Sequence, residues 1–193
     1  MNRSPLTHAL LIANIAIFGL ELLSGGALVQ RCALWPIGAG FAPWQIFTGA
    51  FLHGSLMHLA ANMLGLFVFG RDVERALGQW RFALLYALSI VTAAAAQLAV
   101  GVLLRDPHPV VGASGALFGV MVAFAMLFPK RVIILLFPPI PLPAPLFVVL
   151  YAAFELYAGV TGSMSGVAHF AHLGGLVGGF VLMRLWRVRA SRR

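Results

Sequence analysis

Charge is what this chain lacks. Only 9% of its 193 residues are charged, where a soluble domain carries roughly 25%. A surface so poor in ionic groups excludes a water-soluble globular domain, and the chain reads as a polytopic membrane protein. It leaves no room for a second, soluble domain, so residues 1–193 are expected to form a single transmembrane domain. Cysteine is almost missing as well. Cys32 stands alone, which excludes an internal disulfide framework and a multi-cysteine zinc site. There are 5 acidic residues against 13 basic ones, for a formal net charge of +8. The basic residues sit at the ends of apolar runs rather than in one patch, so nucleic acid is not an expected partner. A signal-peptide pattern is also lacking. The stretch "MNRSPLTHALLIANIAIFGLELL" has one arginine, an overlong apolar run and no small-x-small cleavage site, so a retained helix is expected. No internal repeat is visible, which leaves the inverted-repeat plan of many transporters unsupported.

What is present is apolar: 61% of residues are hydrophobic. A membrane span needs about 20 apolar residues, or fewer when buried among neighbours. The sequence predicts an all-α bundle of six spans, at about 6–23, 57–70, 82–103, 114–128, 144–158 and 168–186. Three of these are short and belong in the centre. The connection at 24–55 is rich in Gly, Pro and Trp but not very polar, and is expected to pack on the bundle as a partly helical loop. The proline-rich "LLFPPIPLPAP" at 135–145 cannot be a helix interior and is expected to be an interfacial turn. With both termini inside, the inner face carries Arg3, Arg71, Arg75, Arg81, Lys130, Arg131, Arg184, Arg187, Arg189, Arg192 and Arg193. The outer face carries Arg31 and Arg105. Eleven against two is a strong orientation signal, and it puts both termini in the cytoplasm. Arginine far outnumbers lysine and no transit peptide is seen, so a bacterial inner membrane is expected.

Polar residues inside spans are costly and are functional suspects by default. Span two offers His58 and Asn62, four apart and on one face, with His53 preceding them in a loop-structuring position. Span six offers His169 and His172. In "HPVVGASGALFGV", Ser114 stands between Gly112 and Gly115 at the start of span four. The predicted topology puts Ser114, His58, Asn62 and His172 at one depth, a little below the outer surface. Ser114 can be a nucleophile, and the helix N-terminus beneath it supplies backbone N–H groups for a developing oxyanion. His172 can take its proton, and His58 and Asn62 can add donors. Each also has a bland reading: Ser114 as a helix cap, His58 and Asn62 as interhelical bridges, His172 as a packing residue. No carboxylate is evident as a third member. Asp72 and Glu74 lie on the wrong side, Glu21 is far along span one, and Glu155 is read as tying helices or a lid. A Ser–His dyad rather than a triad is expected. Small-xxx-small pairs at Gly115/Gly119, Gly174/Gly178 and Gly175/Gly179 predict close approach of spans four and six, with Phe118 against the imidazole.

"HGSLMHLAAN" at 53–62, "GASG" at 112–115 and "AHLGGLVGG" at 171–179 resemble the rhomboid family of intramembrane serine proteases, whose patterns are HxxxxHxxxN, GxSG and AHxxG in that order. "GRDVERALG" at 70–78 and "FELYAG" at 154–159 are also similar to it, whereas Trp44-Gln45 stands where many bacterial members have Trp-Arg. The resemblance implies a six-helix bundle with a water-filled cavity. It implies Ser114 as nucleophile, His172 as base, and His58, Asn62 and the Ser114 N–H as oxyanion hole. It further implies transmembrane proteins as substrates within the lipid bilayer, and no metal or cofactor. The AHxxG spacing favours His172 over His169 as base. The loop "GVTGSMSGV" at 159–167 is expected to be a mobile lid beside a gating span five. Two other classes remain open: a non-catalytic rhomboid-like client binder, and a small proton-coupled transporter using His58, His172 and Glu155.

Overall fold

The computed structural model describes residues 4–135, 138–164 and 166–187. Helix α1 (Pro5–Leu23) opens with proline in its first turn, where the missing N–H costs nothing. The next donors are met from far along the chain. The buried Glu74 carboxylate accepts from Leu6 N at 3.0 Å, Thr7 N at 2.7 Å and Thr7 Oγ1 at 2.6 Å, an anionic cap where the helix dipole is positive. This gives the acid of "GRDVERALG" a structural task.

The first loop packs on the bundle, as expected. It holds α2 (Ala27–Cys32), α3 (Gln45–Thr48) and a 3₁₀ turn (Gly49–Phe51). Gln45 is buried and staples the loop. Its Oε1 accepts from Trp35 N and Ala42 N, and its Nε2 donates to the Gly40 carbonyl at 3.2 Å. The loop is pinned to the segment before Ser114 by the Leu34–Val110 bridge and by Gly112 N donating to Gly49 O at 2.9 Å.

Span two is longer than expected. It begins as α4 (Leu56–Gly65), passes through a π-helical turn (Leu66–Gly70) and continues as α5 (Arg71–Leu77). It ends where Gly78 takes φ 80°. Next come α6 (Gln79–Leu104) and α7 (Ser114–Leu127). The proline-rich segment is more ordered than a turn. β1 (Val132–Ile134) pairs antiparallel with β2 (Pro141–Pro143), in the register Val132–Pro143, Ile133–Leu142, Ile134–Pro141. Prolines are tolerated there because an edge strand leaves alternate N–H positions unpaired. Then follow α8 (Ala144–Thr161) and α9 (His169–Leu185).

Among the described residues, α1, α6 and α8 are long and apolar enough to cross a bilayer. A fourth such unit is formed by Gln45–Phe51 with Leu56–Leu77, bent by 96°. The helices α7 and α9 are shorter, at 14 and 17 residues. For α7 the reason is burial: every residue of it except Ser114 and Met126 is buried, so protein rather than lipid surrounds it. Large apolar side chains such as Leu23, Leu103 and Val160 face outward on the longer helices, as lipid contact requires. The chain is an integral, multi-pass membrane protein with an all-α bundle and one small hairpin. The orientation signal rests partly on Arg3, Arg189, Arg192 and Arg193, which lie outside the described residues, as does Ser165 of the expected lid.

Candidate active site

The helix contacts that build the site are backbone to backbone. Gly175 of α9 lies on Gly115 of α7, so closely that a Cβ on Gly175 would stand 2.7 Å from the Gly115 carbonyl carbon. One turn on, a Cβ on Gly179 would stand 2.6 Å from the Gly119 Cα. The second glycine row of α9 does a different job: Gly174 and Gly178 face Ala96 and Thr92 of α6. The predicted pairing of spans four and six thus uses one row, and α6 takes the other.

That proximity brings Ser114 and His172, 58 residues apart, into contact. Ser114 Oγ and His172 Nε2 are 2.7 Å apart. Ser114 is the first residue of α7, and no side chain caps that helix. The N–H groups of a first helical turn lack intrahelical acceptors, and Ser114 begins that turn. The imidazole of His172 stacks on Phe118, with centroids 4.5 Å apart and planes 8° apart. Tyr151 of α8 supports Phe118 from behind at 4.8 Å.

His58 comes to the same place. A Cβ at Gly112 would lie 2.8 Å from His58 Nε2 and 3.5 Å from Ser114 Oγ. Gly112 also has φ +131°, which L side chains rarely adopt, so both conformation and space require glycine there. Asn62 is buried on the same face. Its Nδ2 donates to the His58 carbonyl at 3.1 Å, which leaves its second N–H. His53 packs edge-on to His58, with centroids 5.1 Å apart, and its backbone N–H donates to Glu21 Oε2 at 3.0 Å. Glu21 thus ties the link before span two to α1.

Glu155, expected to tie helices or the lid, does so, and it also approaches the histidine beside Ser114. Glu155, 2% exposed on α8, meets both histidines of α9. Its Oε2 is 2.6 Å from His169 Nδ1 and 2.9 Å from His172 Nδ1. The approach to His169 is an aligned hydrogen bond. The approach to His172 is a close polar contact off the N–H axis. The signal was present in the sequence: an acid inside an apolar helix must be paired, and the next helix begins with two histidines. His169 is not on Ser114. Its Nε2 reaches the Ser163 carbonyl at 3.2 Å, fastening the connection that follows α8. Residues 159–161 of the expected lid are helical, so that connection starts at Gly162, the left-handed C-cap of α8.

Glu155, His169 and His172 place three potential ligand atoms within 4.8 Å of one another, enough to raise the question of a cation. Their contacts of 2.6 and 2.9 Å are hydrogen-bond spacings. Two ligands of a tetrahedral zinc stand about 3.3 Å apart, from bond lengths of about 2.0–2.1 Å, so the present arrangement suits proton sharing better.

The Rhomboid domain profile matches residues 41–189. Over 173 residues the chain is 35% identical to Rhomboid protein 1, mitochondrial, of Saccharomyces cerevisiae, covering 88% of this chain and 50% of that protein. It is 28% identical over 192 residues to Rhomboid protease GlpG of Yersinia pestis, covering 98% and 65%. It is 30% identical over 139 residues to Rhomboid protease GluP of Bacillus subtilis, covering 71% and 25%. The chain therefore spans between a quarter and two thirds of the length of these relatives.

Proposed function

This protein belongs to the rhomboid family, and on that premise we propose that it is an intramembrane serine endopeptidase that cleaves transmembrane segments of other membrane proteins. The observation that carries the proposal is the 2.7 Å approach of Ser114 Oγ to His172 Nε2 at an uncapped helix N-terminus inside an apolar bundle. Relatives named as proteases support the activity.

Water and an unwound substrate segment meet at the Ser114 end of α7. A peptide carbonyl is hidden in a transmembrane helix by its own hydrogen bonds, so substrates with helix-weakening Gly or Pro are favoured. Ser114 Oγ attacks the carbonyl carbon while its proton passes to His172 Nε2. The oxyanion is met by the Ser114 N–H, the His58 ring and the free N–H of Asn62. His172 returns the proton to the leaving amine, and water hydrolyses the acyl-enzyme by the same exchange. Phe118 holds the ring face throughout. The connection after α8 is the lid, and α8 the lateral gate. The basic-residue bias supports cytoplasmic termini, and the excess of arginine over lysine supports a bacterial inner membrane.

The test is fluorophosphonate labelling together with cleavage of a reporter transmembrane substrate. Wild-type protein is labelled at Ser114 and cleaves the reporter. Ser114→Ala and His172→Ala each lose both properties while folding normally. Substantial cleavage by either variant would refute the dyad. A client binder gives no labelling, and a transporter is indifferent to the probe.

A further inference from the structure

The carboxylate of Glu155 has two imidazole nitrogens on one oxygen, and the hydrogen inventory of that arrangement is informative. At 2.9 Å, a bare Nδ1 on His172 would set its negative end near the carboxylate oxygen, though off the ring axis. The contact is attractive only if Nδ1 carries the proton. Nε2 is then the unprotonated nitrogen, and it is the one 2.7 Å from Ser114 Oγ. His169 faces acceptors on both sides, Glu155 Oε2 at 2.6 Å and the Ser163 carbonyl at 3.2 Å. A ring N–H donated to Glu155 Oε2 satisfies the carboxylate on that side.

We propose that Glu155 is a positioning residue for His172, with His169 as its brace: it selects the Nδ1–H tautomer, turns Nε2 toward Ser114, and faces the imidazolium as that forms. This rests on the reading of Ser114 and His172 given above. In the acylation step the Oγ–carbon bond forms, the carbonyl π pair moves to oxygen, and the hydroxyl proton goes to Nε2. His172 then holds two protons and one positive charge, which the Glu155 carboxylate opposes without taking a proton. As the charge forms, the off-axis contact strengthens. The same carboxylate joins α8, α9 and, through His169 and Ser163, the connection between them, so the base is oriented by the elements that border substrate entry.

The test uses the full chain in nanodiscs with a reporter substrate. In Glu155→Gln the shape is kept, but the amide can offer Nδ1 a donor and so favours the opposite tautomer. The expected result is a fall in kcat of about 10²- to 10⁴-fold with KM little changed, since a carboxylate-to-amide change behind a serine–histidine pair costs about 10⁴. The acidic limb of the pH–rate profile moves to lower pH, because the imidazolium has lost its counter-charge. The other titratable groups acting on this pair are His58 on α4, His169 on α9 and Tyr151 on α8, and all are retained in the variant. Glu155→Asp recovers part of the rate. In wild-type protein, ¹⁵N spectra of labelled histidine show the His172 proton on Nδ1. The proposal is overturned if Glu155→Gln keeps kcat within about 3-fold, or if rate falls only in step with folded protein while the pH profile stays in place. It is also overturned if wild-type His172 carries its proton on Nε2, a measurement that does not depend on any variant folding. Cleavage surviving in Ser114→Ala would instead remove the dyad beneath it, which separates the two failures.

Discussion

Replacing Gly175 by alanine puts a methyl group in place of one hydrogen at the tightest point between α7 and α9. The added Cβ would stand 2.7 Å from the Gly115 carbonyl carbon and 3.2 Å from its Cα, with the Gly115 carbonyl oxygen nearer still. Ordinary contacts begin at 3.4 Å, so the helices must separate by roughly 1 Å. All three Gly115 atoms belong to backbone, and no side chain can swing away to absorb the strain. His172 lies one turn before Gly175 and Ser114 directly precedes Gly115, so the separation falls on the Ser114–His172 contact. A 2.7 Å contact lengthened by about 1 Å is no longer a hydrogen bond, and a misplacement of that size costs on the order of 10²-fold in rate. The assay is reporter cleavage per folded enzyme in nanodiscs, with folded fraction taken from thermal unfolding. Gly101→Ala on α6 is the control. Nothing lies within 4 Å of its Cβ position, and alanine in a helix interior is about 0.5–1 kcal/mol better than glycine. It should be as active as wild type and slightly more stable. If Gly175→Ala cleaves within a few-fold of wild type, the claim that this glycine contact sets the Ser–His distance is wrong.

Glu74→Ala removes the charged cap from α1 and strands the Leu6 and Thr7 donors. A loss of about 2–4 kcal/mol is expected, read as a lower midpoint of detergent-induced unfolding, while the Ser114 fluorophosphonate reaction of the folded fraction is kept. Asn62→Ala removes one proposed oxyanion donor and should lower kcat by about 10- to 1000-fold. An unchanged kcat in single-turnover cleavage takes Asn62 out of the hole and leaves it as the partner of the His58 carbonyl.

Much of this architecture could be read one helix at a time. Apolar run length located α1, α6 and α8, and spacing put His58 and Asn62 on one face. The two Gly–xxx–Gly rows announced close packing, and the stacking of Phe118 on His172 followed from one helical turn. The hairpin at 132–143 was not legible, because strand pairing at prolines depends on which N–H groups happen to face outward. The π-helical turn at Leu66–Gly70 was hidden too, since it adds no residue type that breaks a helix.

The features readable from the residues alone are therefore local: the apolar lengths, the periodic faces, and the glycines that leave backbone bare. These follow from composition within a few turns of one helix. Only the tertiary structure decided that the Glu155 carboxylate meets His172, that Glu74 closes the start of α1, and that one glycine row of α9 serves α7 and the other α6. Each of those depends on how far one helix is rotated and slid against another. That relation is set by the summed packing of the whole bundle, and no single stretch of chain carries it.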